Sequence, residues 1–266
     1  MAMQTPKPLL TARIEALPVR IFESNLQVGQ AAAADAVEFL QQTLAQRGEA
    51  NVILATGNSQ LTFLETLRAA PGLDWSRLRV FHMDEYLGLD PQHPASFPLF
   101  LRRHFLDYLQ PPAGAFYPVP GQHPDPAQAC REYEALLRQY PADLCALGIG
   151  ENGHLAFNDP PFADFDDPVW MKVIQLDEAS RRQQVGEGHF GGLDEVPTHA
   201  LTLTIPALLA ARKVLAIVPE GRKAPAVQRS LQGPVDAACP GSILRRTTHA
   251  ELYLDRDSAA LAFPTL

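Results

Sequence analysis

Short apolar runs alternate with helix-length amphipathic stretches along nearly the whole chain, and this alternation limits the fold more than any other feature of the 266 residues. Apolar runs at 20–22, 51–55, 78–83, 144–149, 201–203, 215–218 and 252–254 have the length of buried strands. In 30–46 Ala33, Val37, Leu40 and Leu44 recur at helical spacing, and Gly48 closes the pattern. Ser59 is placed to cap a helix reaching Leu67. Residues 96–105 and 127–140 also read as helices, the second opening with Pro126 in its first turn. Two more lie near 206–211 and 224–231. The expected fold class is α/β: a mostly parallel, open, Rossmann-like sheet with helices on both faces. Ligands of such sheets bind at the loops leaving the carboxyl ends of the strands. Two stretches interrupt the rhythm. Residues 111–126 are rich in Pro and Gly, and 160–197 mix Pro, Asp, Gly and charge around a helical piece at 178–185. With no internal repeat, low-complexity tract or linker, the expectation is one domain over 1–266 with a small lid insertion around 160–197.

Composition removes several function classes. The net charge is −8 and no Lys/Arg block stands out, which excludes a nucleic-acid or anionic-membrane binder, since counterion release needs clustered cations. A small anionic ligand remains compatible, because two or three placed cations hold one phosphate. No apolar run approaches the ~20 residues of a membrane span. Cys130, Cys145 and Cys239 form neither a CxxC nor an even set, as expected of reduced thiols. Residues 1–10 carry no apolar core of a signal peptide, and the expected location is cytoplasmic. Whether the chain forms a homo-oligomer is left open.

Gly148-Ile149-Gly150-Glu151-Asn152-Gly153 satisfies GxGxxG after an apolar strand. A dinucleotide fingerprint also requires a long helix next, and Pro160-Pro161 stops any helix within two turns. A glycine-rich turn accounts for the backbone but not for His154, Asn158 and Asp159 crowding behind it. A histidine at a strand's carboxyl end with a carboxylate nearby suits proton transfer near neutral pH; the plain alternative is a hydrogen-bonded loop histidine. Asp84-Glu85-Tyr86 ends the 78–83 strand, and alternation sends the two carboxylates to opposite sides. One can face a site as a base for a carbon-bound proton while the other holds a loop. Tyr86 is placed to cover the site, and an acidic surface turn is the structural alternative. Thr56-Gly57-Asn58-Ser59 joins a strand to a helix and offers backbone N–H groups, a hydroxyl and a positive dipole end to a phosphate. Gly221-Arg222-Lys223 repeats that arrangement, and Arg181-Arg182 could add a clamp. Each taken alone is also readable as solvated basic surface. No metal-ligand spacing is convincing, and there is no GxSxG elbow.

The stretch 80–89, followed by His93-Pro94-Ala95-Ser96, resembles the signature of glucosamine-6-phosphate deaminases. So do the run 148–160, then Ala200-Leu201-Thr202, Gly221-Arg222-Lys223-Ala224 and 239–244. The resemblance runs in order from about 51 to 255. It extends to the wider group that includes 6-phosphogluconolactonases. Those typically carry Asp-Glu-Arg where this chain has Asp84-Glu85-Tyr86, and a Thr-Ala-Ser type sequence where it has Leu155-Ala156-Phe157-Asn158. The resemblance implies a deaminating aldose–ketose isomerase of a 2-amino-sugar 6-phosphate, with glucosamine 6-phosphate first. It implies no metal and no organic cofactor. Asp84 matches the C2/C1 proton shuttle, and His154 the ring-opening acid/base. Thr56, Gly57, Ser59, Arg181 and Lys223 match the sugar-phosphate cradle. The chain departs from the pattern at three places: Asn152 stands for an Asp, Asp159 for a Glu, and Asn58 for a Gly or Ser. An amide cannot stabilise an imidazolium by charge, so His154 depends on Asp159. A lactonase of a sugar-phosphate lactone and a non-catalytic sugar-phosphate sensor are the alternatives.

Overall fold

The computed structural model describes residues 5–160, 162–186 and 188–266, so the leader reading of 1–10 is partly, and Pro161 wholly, outside the described residues. The chain opens with a hairpin, β1 (Leu10–Ile14) and β2 (Leu17–Phe22), followed by α1 (Asn25–Arg47), β3 (Ala50–Leu54), α2 (Leu61–Ala69) and β4 (Leu78–His82). After one residue comes β5 (Asp84–Tyr86), then α3 (Phe97–His104), β6 (Ala115–Tyr117), α4 (Pro126–Gln139) and β7 (Leu144–Leu147). Next are β8 (Met171–Gln175), α5 (Glu178–Gly186), β9 (His199–Leu203), α6 (Ile205–Leu209) and β10 (Lys213–Val218). The chain ends with α7 (Ala224–Gln232), β11 (Ala250–Asp255) and α8 (Arg256–Ala259).

The main sheet has the order β1-β2-β11-β10-β7-β3-β4-β6, and every neighbouring pair except the β1–β2 hairpin runs parallel. Strand alternation splits its side chains between two cores. Val52 and Leu54 of β3, Leu215 and Ile217 of β10, and Tyr253 of β11 pack with α1, α2 and α3. Ile53, Val214, Ala216, Val218, Leu252 and Leu254 pack with α4, α6 and α7. Each fully buried Val, Leu or Ile contributes on the order of 1.5–3 kcal/mol, so both faces must be covered for the sheet to be stable. The α/β expectation with helices on both faces holds.

Several local expectations change. α1 begins at Asn25, not 30, because Ser24 caps it by accepting the Gln27 N–H. Ser59 caps nothing: it lies inside a short 3-10 turn, Asn58–Gln60, and α2 begins after it. The single strand expected at 78–83 breaks at Met83, where the chain leaves the main sheet and enters a second one. That second sheet is antiparallel, ordered β5-β9-β8, and it takes the 201–203 run that alternation alone would assign to the main sheet. Within 160–197 the structure adds β8 beside the expected α5. Period-two patterning cannot say which sheet a strand joins, since residues 200–203 of β9 are as fully buried in the second sheet as β3 and β7 are in the main sheet.

The strand order reverses between β3 and β7. The connections from β3 lead through α2 and α3 toward β6, whereas those from β7 lead through α6 and α7 toward β11, on the other face. Loops diverging from adjacent carboxyl ends open a crevice, the general ligand site of open α/β sheets.

Candidate active site

A cavity occupies that crevice. Ala55, Thr56, Gly57, Ser59 and Gln60 after β3 line it, together with Met83 and Asp84 after β4, Gly148–Gly150 and His154 after β7, and Lys223 before α7. Gln183, Gln184 and His189 close it from the segment containing α5. Gly57 has φ 99° and ψ 163°, a region that only glycine occupies without strain, so the chain can turn sharply out of β3 and expose backbone at the cavity wall. Gln60 is buried behind this turn and donates to the Ile217 carbonyl at 3.1 Å, bracing it against β10.

Asp84 is 7% exposed and opens β5, directly opposite Thr202 on β9. Burial foremost, and then the adjacent Glu85 carboxylate, hold Asp84 well above the usual carboxylate range. Glu85 points the other way, as alternation predicts. It accepts the Ser96 hydroxyl at 2.9 Å and the Phe97 N–H at 3.2 Å, fastening the start of α3. Burial is the largest influence on it too and carries it up to about 7 against those hydrogen bonds. His82 accepts the Val119 N–H through Nε2 at 2.7 Å, and burial pushes its imidazole down to about 3, so it stays neutral. Tyr86 does not cover the site as the sequence suggested. It is fully buried in an aromatic cluster with Phe97, Phe157 and Phe190.

The histidine loop is held by many contacts. Gly150 N–H donates to the His154 carbonyl at 2.9 Å, and Gly153 N–H to Gly150 at 3.0 Å. The Asn158 side-chain amide donates to the carbonyls of Leu155 and Leu203, both at 2.8 Å, and Phe157 N–H to Thr202 Oγ1 at 3.1 Å. Thr202 therefore joins the two halves of the site: its strand pairs with Asp84 while its hydroxyl anchors the loop of His154. A Cβ built on Gly150 would lie 2.1 Å from His154 Nε2, so the ring can occupy this position only above a glycine.

Behind the ring, His154 Nδ1 lies 3.0 Å from Asp159 Oδ1, and Asp159 is fully buried. Asn152 bridges the pair, donating to Asp159 Oδ1 at 2.9 Å and accepting the His154 backbone N–H at 3.0 Å. Burial alone would raise the Asp159 carboxyl. The interactions with His154, Asn152 and Ser180 outweigh it, and the net position is below the ordinary value. Asp159 is thus the ionised partner that fixes the imidazole through Nδ1, while Asn152 contributes geometry rather than charge.

The structure brings together Asp84, His154, Thr56, Gly57, Ser59 and Lys223, the last buried at 4% exposure. It does not bring in the other expected cradle residues. Asn58 faces outward and is exposed, because the 3-10 turn presents its neighbours to the cavity. Arg181 lies outside the cavity lining, donating to the carbonyls of Leu193 at 2.6 Å and Val196 at 2.9 Å. Its neighbour Arg182 pairs with Glu178 on the outer face of α5. Arg222 pairs with Glu151 at 3.0 Å and with Glu220, so of the Arg222–Lys223 pair only Lys223 lines the cavity. Sequence reasoning missed Ser180, Gln183, Gln184 and His189. All four fall in the stretch singled out as a lid, but nothing in its sequence marks which side chains turn inward. Among the described residues no group of three or more His, Cys, Asp or Glu side chains is arranged to hold a metal ion, and no helix is long and apolar enough to cross a membrane.

A buried carboxyl and a carboxylate-braced imidazole that line one crevice at the switch point of an open parallel sheet define an α/β protein whose cavity can exchange protons with a small ligand. The family model for glucosamine-6-phosphate isomerases and 6-phosphogluconolactonases matches residues 23–254, and the chain belongs to that family. It is 33% identical over 246 residues to the glucosamine-6-phosphate deaminase of Bacillus pumilus, covering 90% of this chain and 98% of that protein. It is 36% identical over 225 residues to the Exiguobacterium sibiricum deaminase, covering 84% and 86%. Among solved structures, a monomeric glucosamine-6-phosphate deaminase aligns with a TM-score of 0.82 at 26% identity, covering 91% of this chain and 99% of that one. A 6-phosphogluconolactonase from Shewanella baltica aligns with a TM-score of 0.75 at 18% identity, covering 92% and 100%, a likeness of fold alone.

Proposed function

We propose that this chain is a cytoplasmic deaminating aldose–ketose isomerase that converts a 2-amino-sugar 6-phosphate, glucosamine 6-phosphate first, and water into the ketose 6-phosphate and ammonia. The observation that carries this reading is the convergence of Asp84 and His154 on one cavity that Thr56, Gly57, Ser59 and Lys223 also line. The glycine turn and Lys223 hold the phosphate through backbone N–H groups and one ammonium. His154 Nε2, opposite the Asp159-bound nitrogen, moves a proton between the ring oxygen and the C1 hydroxyl as the sugar opens. Asp84 takes the proton from C2 of the open-chain 2-amino aldehyde while O1 gains a proton from the substrate's own ammonium group, giving the enolamine; return of the Asp84 proton to C1 leaves a ketimine at C2. Water adds to the ketimine carbon and ammonia leaves, which accounts for every atom. Raised proton affinity suits Asp84 to this step, because a stronger base takes more readily a proton held on carbon. The 160–197 segment, which contributes Gln183, Gln184 and His189 to the wall, serves as the lid.

The test is release of ammonium and fructose 6-phosphate in equal amounts from glucosamine 6-phosphate. Asp84→Asn should lower kcat by a factor of about 100 or more, the usual contribution of a general base. A wild-type enzyme that gives neither product but hydrolyses a sugar-phosphate lactone, with Asp84→Asn still active, would assign the lactonase reaction instead, since that chemistry has no carbon-acid step.

A further inference from the structure

We infer that Ser180, on α5, is a positioning residue for His154, so that the acid/base group is complete only with α5 seated against the histidine loop. The inference rests on the reading of this cavity given above and adds a residue to it from a different part of the fold. Ser180 is 2% exposed, and its hydroxyl donates to Asp159 Oδ1 at 2.5 Å. The same oxygen receives Asn152 Nδ2 at 2.9 Å and lies 3.0 Å from His154 Nδ1. Ser180 Oγ is itself 3.2 Å from His154 Nδ1.

This arrangement assigns the protons. The Ser180 hydrogen is committed to the carboxylate, so only an oxygen lone pair faces Nδ1. Nδ1 must then carry the ring hydrogen, shared between Asp159 Oδ1 and Ser180 Oγ. Nε2, above Gly150, is left as the free acceptor. Asn152 holds the carboxylate and the loop backbone, but among the described residues only Ser180 adds a second acceptor for the ring N–H, and so restricts its rotation. With an amide at 152, the carboxylate of Asp159 is the one charged partner of the ring among the described residues, and orientation depends on the neutral groups around it. Ser180 stands on the helix whose Gln183 and Gln184 line the cavity and whose Arg181 is tied to the carbonyls of Leu193 and Val196. Displacing α5 would remove the second acceptor of the imidazole along with the cavity wall.

Two readouts test this in Ser180→Ala and Ser180→Thr. With glucosamine 6-phosphate, Ser180→Ala should lower kcat about tenfold and leave KM within about twofold, because the ring loses orientation while the cradle is untouched. In ligand-free protein labelled with nitrogen-15 histidine, the His154 Nδ1–H resonance should exchange at least about tenfold faster in the alanine variant. Ser180→Thr, which keeps the hydroxyl, should restore both. Wild-type kcat and unchanged Nδ1–H exchange in Ser180→Ala would overturn the proposal, as would a rise in KM alone, which assigns the residue to helix packing. If the alanine chain does not fold, Ser180→Cys, a weak donor of similar volume, is judged by the same readouts. Because the imidazole spectrum needs no substrate, it judges Ser180 even if no ammonium is released and the proposed reaction fails.

Discussion

Single side chains at this site act through the atoms they exclude as much as through those they touch. Gly150 carries no reactive group, yet a methyl there would lie 2.1 Å from His154 Nε2 and 2.2 Å from Cε1. The ring could not stay, and a misplacement of about 1 Å costs on the order of 100-fold in rate. Gly150→Ala is therefore expected to fold and to lose kcat by about that factor; circular dichroism beside the ammonium assay checks both halves. Asp84 stood out in the sequence because it directly follows an apolar strand, and His154 because it sits with Asn158 and Asp159 in the glycine-rich loop at another strand's carboxyl end. Ser180, Gln183 and Gln184 did not stand out, since a polar residue on a short helix is ordinarily a solvent face. Arg181 misled for the same reason: an arginine in a lid reads as a phosphate ligand, whereas here two backbone carbonyls take its donors.

Among the elements, the junction of β5 with α3 decides how the Asp84 strand end responds to pH. Glu85 pins the first turn of α3 through Ser96 and Phe97 while buried next to Asp84. Its carboxyl stands at about 7 in the folded chain against an ordinary value of 4.5, a difference of about 3 kcal/mol in order of magnitude. A folded-state value raised above the unfolded one stabilises the protein fully below the unfolded value, and this contribution is lost as pH rises through about 7. Glu85→Gln removes that dependence. Relative to wild type, its melting temperature should rise between pH 5 and pH 8, read by thermal scans at both values; a constant difference would refute the assignment. Alternation had already sent Glu85 away from Asp84, but the strand it joins was hidden. Residues 78–86 read as one strand and an acidic turn, and only pairing with β9 shows that the chain changes sheets at Met83.

Across the whole molecule, stability and chemistry are assigned to opposite ends of the main sheet. At the amino ends of its strands, fully buried Asp143 accepts the Asn51 N–H at 2.9 Å and pairs with Arg212 at 3.1 Å and with Arg47. It thereby ties the start of β3 to α1 and to the chain entering β10. Asp143→Ala strands the Asn51 N–H and should lower the unfolding free energy by about 1–3 kcal/mol. Because the cavity lies at the carboxyl ends, kcat measured well below the melting temperature should not change. Denaturant melts beside steady-state kinetics separate the two effects.

By itself the sequence determined the alternation of strands and helices, the two-faced burial that follows from it, and the identity of the glycine turns, Asp84 and His154. These are local properties: periodicity, φ-demanding glycines and polar residues at strand ends are set within a few neighbours along the chain. Only the tertiary structure decided that 201–203 belongs to a second sheet, that Thr202 links the two halves of the site, that Asn58 and Arg181 face away from the cavity and that Ser180 reaches Asp159. Those facts depend on strand register and helix docking between segments far apart in sequence, where burial and hydrogen-bond satisfaction across the whole fold choose among arrangements that local pattern leaves equal.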